Sequence, residues 1–153
     1  MNLSELLNPD RVRHNIEAGS KKAALENLSG LLAHDCASVT VQEVFNTLVN
    51  REKLGSTGLG RGAAIPHGRL GNLEKPVAAV LHLKEAVDFD AQDGQPVNLI
   101  FGLLVPEEST DEHLHILAGI AELLSREGFV ETLTSSGSAA ELLQLLTRGS
   151  DDG

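Results

Sequence analysis

The stretch Val97–Val105, VNLIFGLLV, is a nearly continuous apolar run that ends at Pro106. A strand with one face in water alternates apolar and polar residues, whereas a strand covered on both faces is apolar throughout. Proline then stops the strand, because it has no amide proton for the ladder. The run therefore predicts a central strand with helices packed on both faces of its sheet.

Further strands and helices are indicated on either side of this run. Alternation at Val12, His14 and Ile16 and the apolar stretch Val77–Leu83 predict two more strands. Polar caps and helical spacing of apolar residues predict helices at Ser20–His34, Thr40–Lys53, Ser109–Ser125 and Ser138–Thr147, with shorter ones at residues 3–7 and 129–134. This mixture predicts an α/β fold, a single-domain sandwich with a mixed central β-sheet flanked by helices on both faces.

The composition indicates a cytoplasmic protein whose partners are other proteins. At 153 residues, of which 41% are hydrophobic, the chain can bury a sizeable core. A net charge of −10 argues against nucleic acid or an anionic membrane as the main partner. The single Cys36 cannot form an internal disulfide, which fits a reducing compartment. No signal peptide is visible and the longest apolar run is far too short to span a bilayer, so we expect no membrane insertion.

A second stretch, Arg51–Arg69, carries the candidate chemistry. It reads REKLGSTGLGRGAAIPHGR and holds His67 between Pro66 and Gly68. Proline biases the residue before it toward extended geometry, so we expect His67 to follow a stiffened strand end. We expect Gly68 to let the chain turn sharply and to let another molecule approach the backbone.

The same stretch is basic within an acidic chain. Arg51, Lys53, Arg61 and Arg69 against Glu52 give it a net charge of +3, and four glycines precede its histidine. A cationic, glycine-rich loop beside an imidazole suits a phosphoryl group. The loop matches neither the phosphate-binding P-loop nor the dinucleotide fingerprint. Each part also has a plain structural explanation: glycines make turns, and Arg51 in a last helical turn stabilises the helix dipole.

His113 is the second histidine of interest. On the helix predicted from Ser109 it shares a face with apolar residues of the later turns, whereas His115 points to the opposite side. A histidine on a buried stripe is either a core residue with a hydrogen-bond partner or a side chain that reaches a cleft. The functional alternative is that His113 faces His67 across a shallow site. A neutral imidazole there is a competent nucleophile toward phosphorus.

Three motifs in this order are highly specific: the 51–69 stretch, VNLIFGLLVP and DEHLHIL. Together they resemble the enzyme IIA domains of the mannitol–fructose class of the bacterial phosphotransferase system, in particular the stand-alone nitrogen-regulatory enzyme IIA. The resemblance covers nearly the whole chain. It implies an enzyme IIA type 2 domain over residues 1–148, and the polar ending of the chain predicts a flexible C-terminal tail at 149–153.

The resemblance also implies roles for individual residues. His67 is the histidine that an upstream histidine phosphocarrier protein phosphorylates, on the tele nitrogen Nε2 as in the family, although the residues alone leave that nitrogen open. His113 helps to hold the phosphoryl group, and Arg51 is the active-site arginine. Arg61 and Arg69 fall where the family varies, so we expect them to contribute only electrostatic context. We expect no cofactor and no bound metal.

The function implied is that of a phosphotransferase component acting mainly as carrier and regulator. Members of the nitrogen branch resemble switches whose phosphorylation state controls targets such as potassium transporters and sensor kinases. A chain with only the IIA part favours this branch over the sugar branch, in which the group passes to a IIB domain and then to fructose or mannitol. Two other classes are a protein-binding module that is never phosphorylated and a metal-dependent hydrolase using His67, His113 and His115. The hydrolase is disfavoured, because the last two histidines point to opposite sides of a helix.

Overall fold

The run Val97–Pro106 forms β6, the central strand of the sheet in this computed structural model, which describes residues 3–108 and 110–151. The other strands are β1 (Val12–Ile16), β2 (Gly58–Gly60), β3 (Ala63–Ala64), β4 (His67–Leu70) and β5 (Val77–Val87). The helices are α1 (Leu3–Leu6), α2 (Lys21–Ala33), α3 (Val41–Glu52), α4 (Thr110–Leu124), α5 (Phe129–Thr134) and α6 (Ala139–Asp151), with a 3-10 turn at Pro9–Arg11.

The sheet is mixed. β5 runs antiparallel to β6 and parallel to β1, whereas β3 and β4 both run parallel to β6, and β2 runs antiparallel to β3. The strand order is β1-β5-β6-β3-β2, with β4 also pairing with β6. Two residues that include Pro66 separate β3 from β4, and the register continues across them, since Ala64 pairs with Ile100 and His67 with Leu103. His67 therefore lies beside the middle of the central strand.

Alternate residues of β6 pack into separate cores on the two faces of the sheet. Leu99, Phe101 and Leu103 are buried with apolar residues of α1, α4, α5 and α6. Ile100 and Leu104 are buried with residues of α2 and α3 on the opposite face. Full burial of a side chain of this size contributes about 1.5–3 kcal/mol, so both faces of the strand stabilise the fold. The prediction of an α/β sandwich with helices on both faces is confirmed.

The predicted starts of three helices are confirmed by their caps. The hydroxyls of Ser20 and Ser138 each accept a hydrogen bond, at 3.1 Å, from the amide three residues later. Thr40 and Glu43 form the reciprocal capping box at the start of α3. The cap predicted at Ser109 lies outside the described residues. Among the helices of the described residues, none is long and apolar enough to cross a membrane.

Of the tail expected at residues 149–153, residues 149–151 belong to helix α6, and residues 152–153 lie outside the described residues. Helix α6 continues to Asp151, beyond the predicted end at Thr147. Gly149 is buried, and a Cβ at this position would lie 2.7 Å from the ring of Phe129. The carbonyl of Gly149 accepts a hydrogen bond from the guanidinium of Arg126 at 2.9 Å. Tertiary packing thus extends the helix through a glycine that would otherwise favour a helix end.

Candidate functional site

His67 is the first residue of β4, and the backbone just before it holds its ring. The Nδ1–H group donates to the carbonyl of Ile65 at 2.8 Å. The amide of Ile65 in turn donates to the carbonyl of Thr57 at 3.0 Å. A carbonyl can only accept, so the ring proton is on Nδ1 and Nε2 carries the free lone pair. This contact leaves Nε2 as the ring nitrogen that can react.

Of the two expectations about the chain around His67, the one about Gly68 is wrong. His67 follows the end of β3, as expected, and it also begins β4, because pairing with β6 resumes directly after Pro66. Gly68 does not turn the chain, since it lies within β4 and its φ is not positive. A glycine is favoured there because a Cβ would overlap the Cγ2 of Thr47 on α3. The protein's own helix therefore occupies the space beside Gly68.

Arg51 lies in the last turn of α3 and reaches over the glycine loop to His67, as predicted. Its Nε–H group donates to Nε2 of His67 at 3.3 Å, and its Nη1 donates to the carbonyl of Gly55 at 2.9 Å. A guanidinium can only donate, so this contact agrees with an unprotonated Nε2 whose lone pair accepts the hydrogen bond. Arg51 therefore links the end of the helix, the loop and the imidazole.

Glu52, which sequence reasoning missed, anchors the loop between α3 and β2. Its carboxylate accepts hydrogen bonds from the amide of Thr57, at 3.2 Å, and from the Thr57 hydroxyl. It also pairs with Lys21 at 3.0 Å, and its side chain is only 5% exposed. One signal was available: an acidic residue at a helix C-terminus opposes the helix dipole, which indicates a partner elsewhere. This network fixes the loop that Arg51 crosses.

His113 lies in the first turn of α4 and meets His67. The two rings form an edge-to-face contact with centroids 5.5 Å apart and an interplanar angle of 82°. His113 is 5% exposed, as expected from its place on the apolar face of the helix. The prediction that the two histidines face each other is confirmed.

Arg69 also belongs to the site, against the expectation of electrostatic context alone. Its Nε–H group donates to Nδ1 of His113 at 3.3 Å. The period of two along a strand places Arg69 on the same face of β4 as His67, and this signal could have identified it in the sequence. Arg69 therefore makes a directed contact with the second histidine.

Two other candidates lie away from the ring pair. The guanidinium of Arg61 donates to the carbonyl of Ser125 at the end of α4, at 3.4 Å, and its amide donates to Asp93 at 3.0 Å. His115 is exposed on the far side of α4. Within the described residues, no group of three or more His, Cys, Asp or Glu side chains could hold a metal ion. The three-histidine metal site is therefore not assembled in that part of the chain.

A pocket of about 260 Å³ opens beside His67 and Arg51. The loop and α4 complete its walls, through Ser56, Thr57, Gly58, Leu59, Ile65, Leu117 and Ala121. Leu59 is 44% exposed, so an apolar side chain stands at the rim of this pocket. The pocket therefore brings a ligand next to the His67 side chain and Arg51.

Both imidazoles are held toward the neutral form. Burial lowers the pKa of His67 below its ordinary value, and the cations Arg51 and Arg69 lower it further. The backbone hydrogen bond of the ring and the charge of Glu52 act in the opposite direction on that pKa. Burial also lowers the pKa of His113, with His67 and Arg69 contributing. A neutral imidazole keeps the lone pair that a nucleophile needs.

A second histidine pair has a structural role. Nε2–H of His14 on β1 donates to the carbonyl of Ser136 at 2.7 Å, and its ring packs on His82 with centroids 4.9 Å apart. Nδ1 of His82 accepts a hydrogen bond from the amide of Asn15 at 3.3 Å. These contacts join β1, β5 and the segment before α6, which agrees with the structural interpretation of His14.

Known proteins resemble this chain over nearly its whole length. The family model "Phosphoenolpyruvate-dependent sugar phosphotransferase system, EIIA 2" matches residues 5–149. The nitrogen regulatory protein of Pseudomonas aeruginosa is 48% identical over 144 residues, which are 94% of each chain. The crystal structure of nitrogen regulatory protein IIA-Ntr from Neisseria meningitidis matches with a TM-score of 0.89 and 43% identity, over 95% of this chain and 99% of that one. IIA mannitol from Escherichia coli shares the fold, with a TM-score of 0.77 and 24% identity over 92% of this chain and 98% of its own.

The family match extends across the mixed sheet, the glycine loop and both histidines of the site. The chain therefore belongs to the EIIA 2 family of the phosphoenolpyruvate-dependent sugar phosphotransferase system, as a phosphotransferase component that works through a phosphohistidine and exchanges phosphoryl groups with other proteins of that system.

Proposed function

We propose that Nε2 of His67 accepts the phosphoryl group from an upstream histidine phosphocarrier protein, and that the resulting phosphorylation state regulates other proteins. The observation that supports this most is the hydrogen bond from Nδ1–H to the carbonyl of Ile65, at 2.8 Å. It leaves Nε2 unprotonated, in a side chain that lines the pocket and contacts a guanidinium and a second imidazole.

The proposed transfer of the phosphoryl group needs no cofactor. The lone pair of His67 Nε2 forms a new N–P bond while the N–P bond of the carrier's phosphohistidine breaks, and that electron pair returns to the carrier's imidazole. The proton on Nδ1 stays in its hydrogen bond to Ile65, so His67 releases no proton. Phosphoryl transfer needs mainly positioning and charge stabilisation, which this site can provide.

Arg51 has two successive tasks in this proposal. In the unmodified protein its Nε–H group donates to Nε2 of His67. That lone pair is used in the new bond, so Arg51 must turn its donors toward the phosphoryl oxygens as the group arrives. A guanidinium has five N–H donors in a planar fork and suits this task. His113 meets the same ring edge to face, and it can donate to the same oxygens.

The regulatory role rests on the nitrogen regulatory relatives, which match at 48% and 43% identity over nearly their full lengths. Targets such as potassium transporters or sensor kinases fit this proposal. Phosphorylation adds negative charge to a face that carries Arg51 and Arg69. An acidic target surface is therefore expected to bind the unmodified protein better, with a salt dependence that the phosphorylated form lacks. The alternative, supported by the sugar system in the family description, is transfer onward to a IIB domain.

The experiment that tests the proposal is intact-mass analysis after incubation with phosphoenolpyruvate and the upstream carriers. The wild type and His115→Ala, whose histidine is exposed on the far side of α4, should gain one acid-labile phosphoryl group. His67→Ala should gain none. A wild-type protein that stays unmodified with active carriers would leave the non-phosphorylated binding module as the better account. Adding a IIB domain then separates onward transfer to a sugar from regulation.

A further inference from the structure

We infer that Arg69 is a positioning residue that fixes the ring tautomer of His113, so that Nε2–H of His113 is the donor offered to the transferred phosphoryl group. This inference rests on the proposed transfer at His67 and adds a residue whose role the family resemblance left unassigned. It also assigns each imidazole of the site its own tautomer, with the proton on Nδ1 in His67 and on Nε2 in His113.

The tautomer follows from the chemistry of the contact. Nε of Arg69 lies 3.3 Å from Nδ1 of His113. A guanidinium carries donors only, so Nδ1 must be the acceptor and the ring proton must be on Nε2. A doubly protonated ring would place an N–H group against an N–H group. The contact therefore excludes both the other tautomer and the imidazolium.

The strand places Arg69 where it can make this contact. In β4, His67 pairs with Leu103 and Arg69 with Val105, and both partners belong to the core on the α4 face of the sheet. Side chains two residues apart on a strand share a face, so His67 and Arg69 both project toward α4. His113 on α4 then contacts one with its ring and the other with Nδ1.

The remaining nitrogen of His113 is available to a ligand. Within the described residues, no side chain or backbone group accepts a hydrogen bond from its Nε2. The buried side-chain atoms without a partner in that part of the chain are Arg11 Nε and Ser136 Oγ, so His113 Nε2 is not sealed in the core. An N–H group that is neither satisfied nor enclosed, beside the proposed acceptor nitrogen, suits a phosphoryl oxygen.

The charges around the two rings also favour the neutral form of both imidazoles. The groups that act on His67 are Arg51, Glu52 and Arg69, and those that act on His113 are His67 and Arg69. The cation at Arg69 lowers the pKa of both rings. Arg69 therefore has a separable charge effect and a directed hydrogen bond, and the test must distinguish them.

The decisive measurement is the nitrogen NMR spectrum of the His113 ring in the unphosphorylated protein, which requires no transfer. In the wild-type protein, Nδ1 of His113 should be unprotonated and Nε2 should be protonated. Arg69→Met should give a mixture of tautomers, and Arg69→Lys, which keeps a donor and the charge, should largely restore the wild-type state. Arg61→Met removes an equal charge from the same stretch without touching either ring, so it should leave the tautomer unchanged. A wild-type ring with its proton on Nδ1, or an unchanged ring in Arg69→Met, would overturn the inference.

Transfer kinetics supply the second readout. Arg69→Met should accept the phosphoryl group on the order of 10-fold more slowly, the usual effect of losing one hydrogen bond to a charged group. The acid limb of the pH–rate profile of Arg69→Met should move to higher pH, because loss of the cation raises the pKa of His67. Arg69→Lys should recover most of the rate, and Arg61→Met should match wild type. Wild-type rates in Arg69→Met would contradict the inference, whereas failure of wild type itself to be modified on His67 would contradict the proposed function instead.

Discussion

Replacing Gly68 by alanine is expected to push α3 away from β4. A Cβ at this position would overlap the Cγ2 of Thr47, which faces it from the helix. The backbone φ of Gly68 is not positive, so alanine meets no backbone strain and the packing conflict decides the outcome. Because Arg51 lies in the last turn of the same helix, a shift of α3 also moves the guanidinium relative to His67.

The size of the effect follows from two opposing contributions. Overpacking a well-filled contact costs about 1–3 kcal/mol. Alanine in place of glycine restricts the unfolded chain and contributes roughly 0.4–1 kcal/mol of stability. We therefore expect Gly68→Ala to lower the free energy of unfolding by about 1–2 kcal/mol, which in a domain of this size lowers the Tm by roughly 2–8 °C.

The assay is a double-mutant cycle with Thr47→Ser. This change removes the overlapping methyl group and keeps the hydroxyl, which donates to the carbonyl of Glu43 at 2.9 Å. On its own it should cost no more than about 0.8 kcal/mol, the contribution of one buried methylene-sized group. Urea unfolding of both single variants and of the double variant then gives the coupling energy.

We expect Thr47→Ser to restore most of the stability lost in Gly68→Ala, together with the rate of phosphoryl acceptance. Additive effects of the two changes would refute the reasoning, because the overlap would then not be the cause. A fully stable Gly68→Ala with normal transfer would refute it as well, because the Cβ would then be accommodated beside Thr47.

Two further predictions concern the charges of the site. An NMR titration of His67 should give a midpoint below 6.5, and Arg51→Gln should raise that midpoint, because burial and the guanidinium both favour the neutral ring. The unfolded chain then binds a proton that the folded protein does not, so the free energy of unfolding should fall as the pH drops below 6.5. A midpoint that Arg51→Gln leaves unchanged would count against the role of the guanidinium. Glu52→Gln should lower the free energy of unfolding by about 1–3 kcal/mol in urea, because it leaves Lys21 without its buried partner. Glu17→Gln, which breaks an exposed pair with 82% of the Glu17 side chain in solvent, should cost less than about 0.5 kcal/mol, and equal costs would show that burial is not the cause.

The sequence predicts the parts of this fold that local signals encode. The unbroken apolar run of β6 indicates burial on both faces, and the structure places separate cores there. Polar caps such as Thr40 with Glu43 mark helix starts, since the cap satisfies amides of its own first turn. The position of His113 on an apolar stripe likewise follows from helical period alone.

The errors come from contacts between residues far apart in the chain. The glycine at 68 reflects the approach of Thr47 across the α3–β4 interface, which no local pattern encodes. The role of Arg69 depends on a histidine 44 residues away. The continuation of helix α6 through Gly149 depends on packing against Phe129. In each case a contact with a residue distant in sequence decides the role of the residue, and the local pattern does not show that contact.

The most direct test of the account is to determine which ring nitrogen of which histidine carries the phosphorus. Two-dimensional proton–nitrogen NMR of the protein phosphorylated by its carriers resolves this for each imidazole. The hydrogen bond from Nδ1–H of His67 to Ile65 predicts a phosphorus–nitrogen coupling on Nε2 of His67, with Nδ1 still protonated. Coupling on Nδ1 of His67, or on His113, would contradict the account, because the backbone contact would then not select the reacting nitrogen.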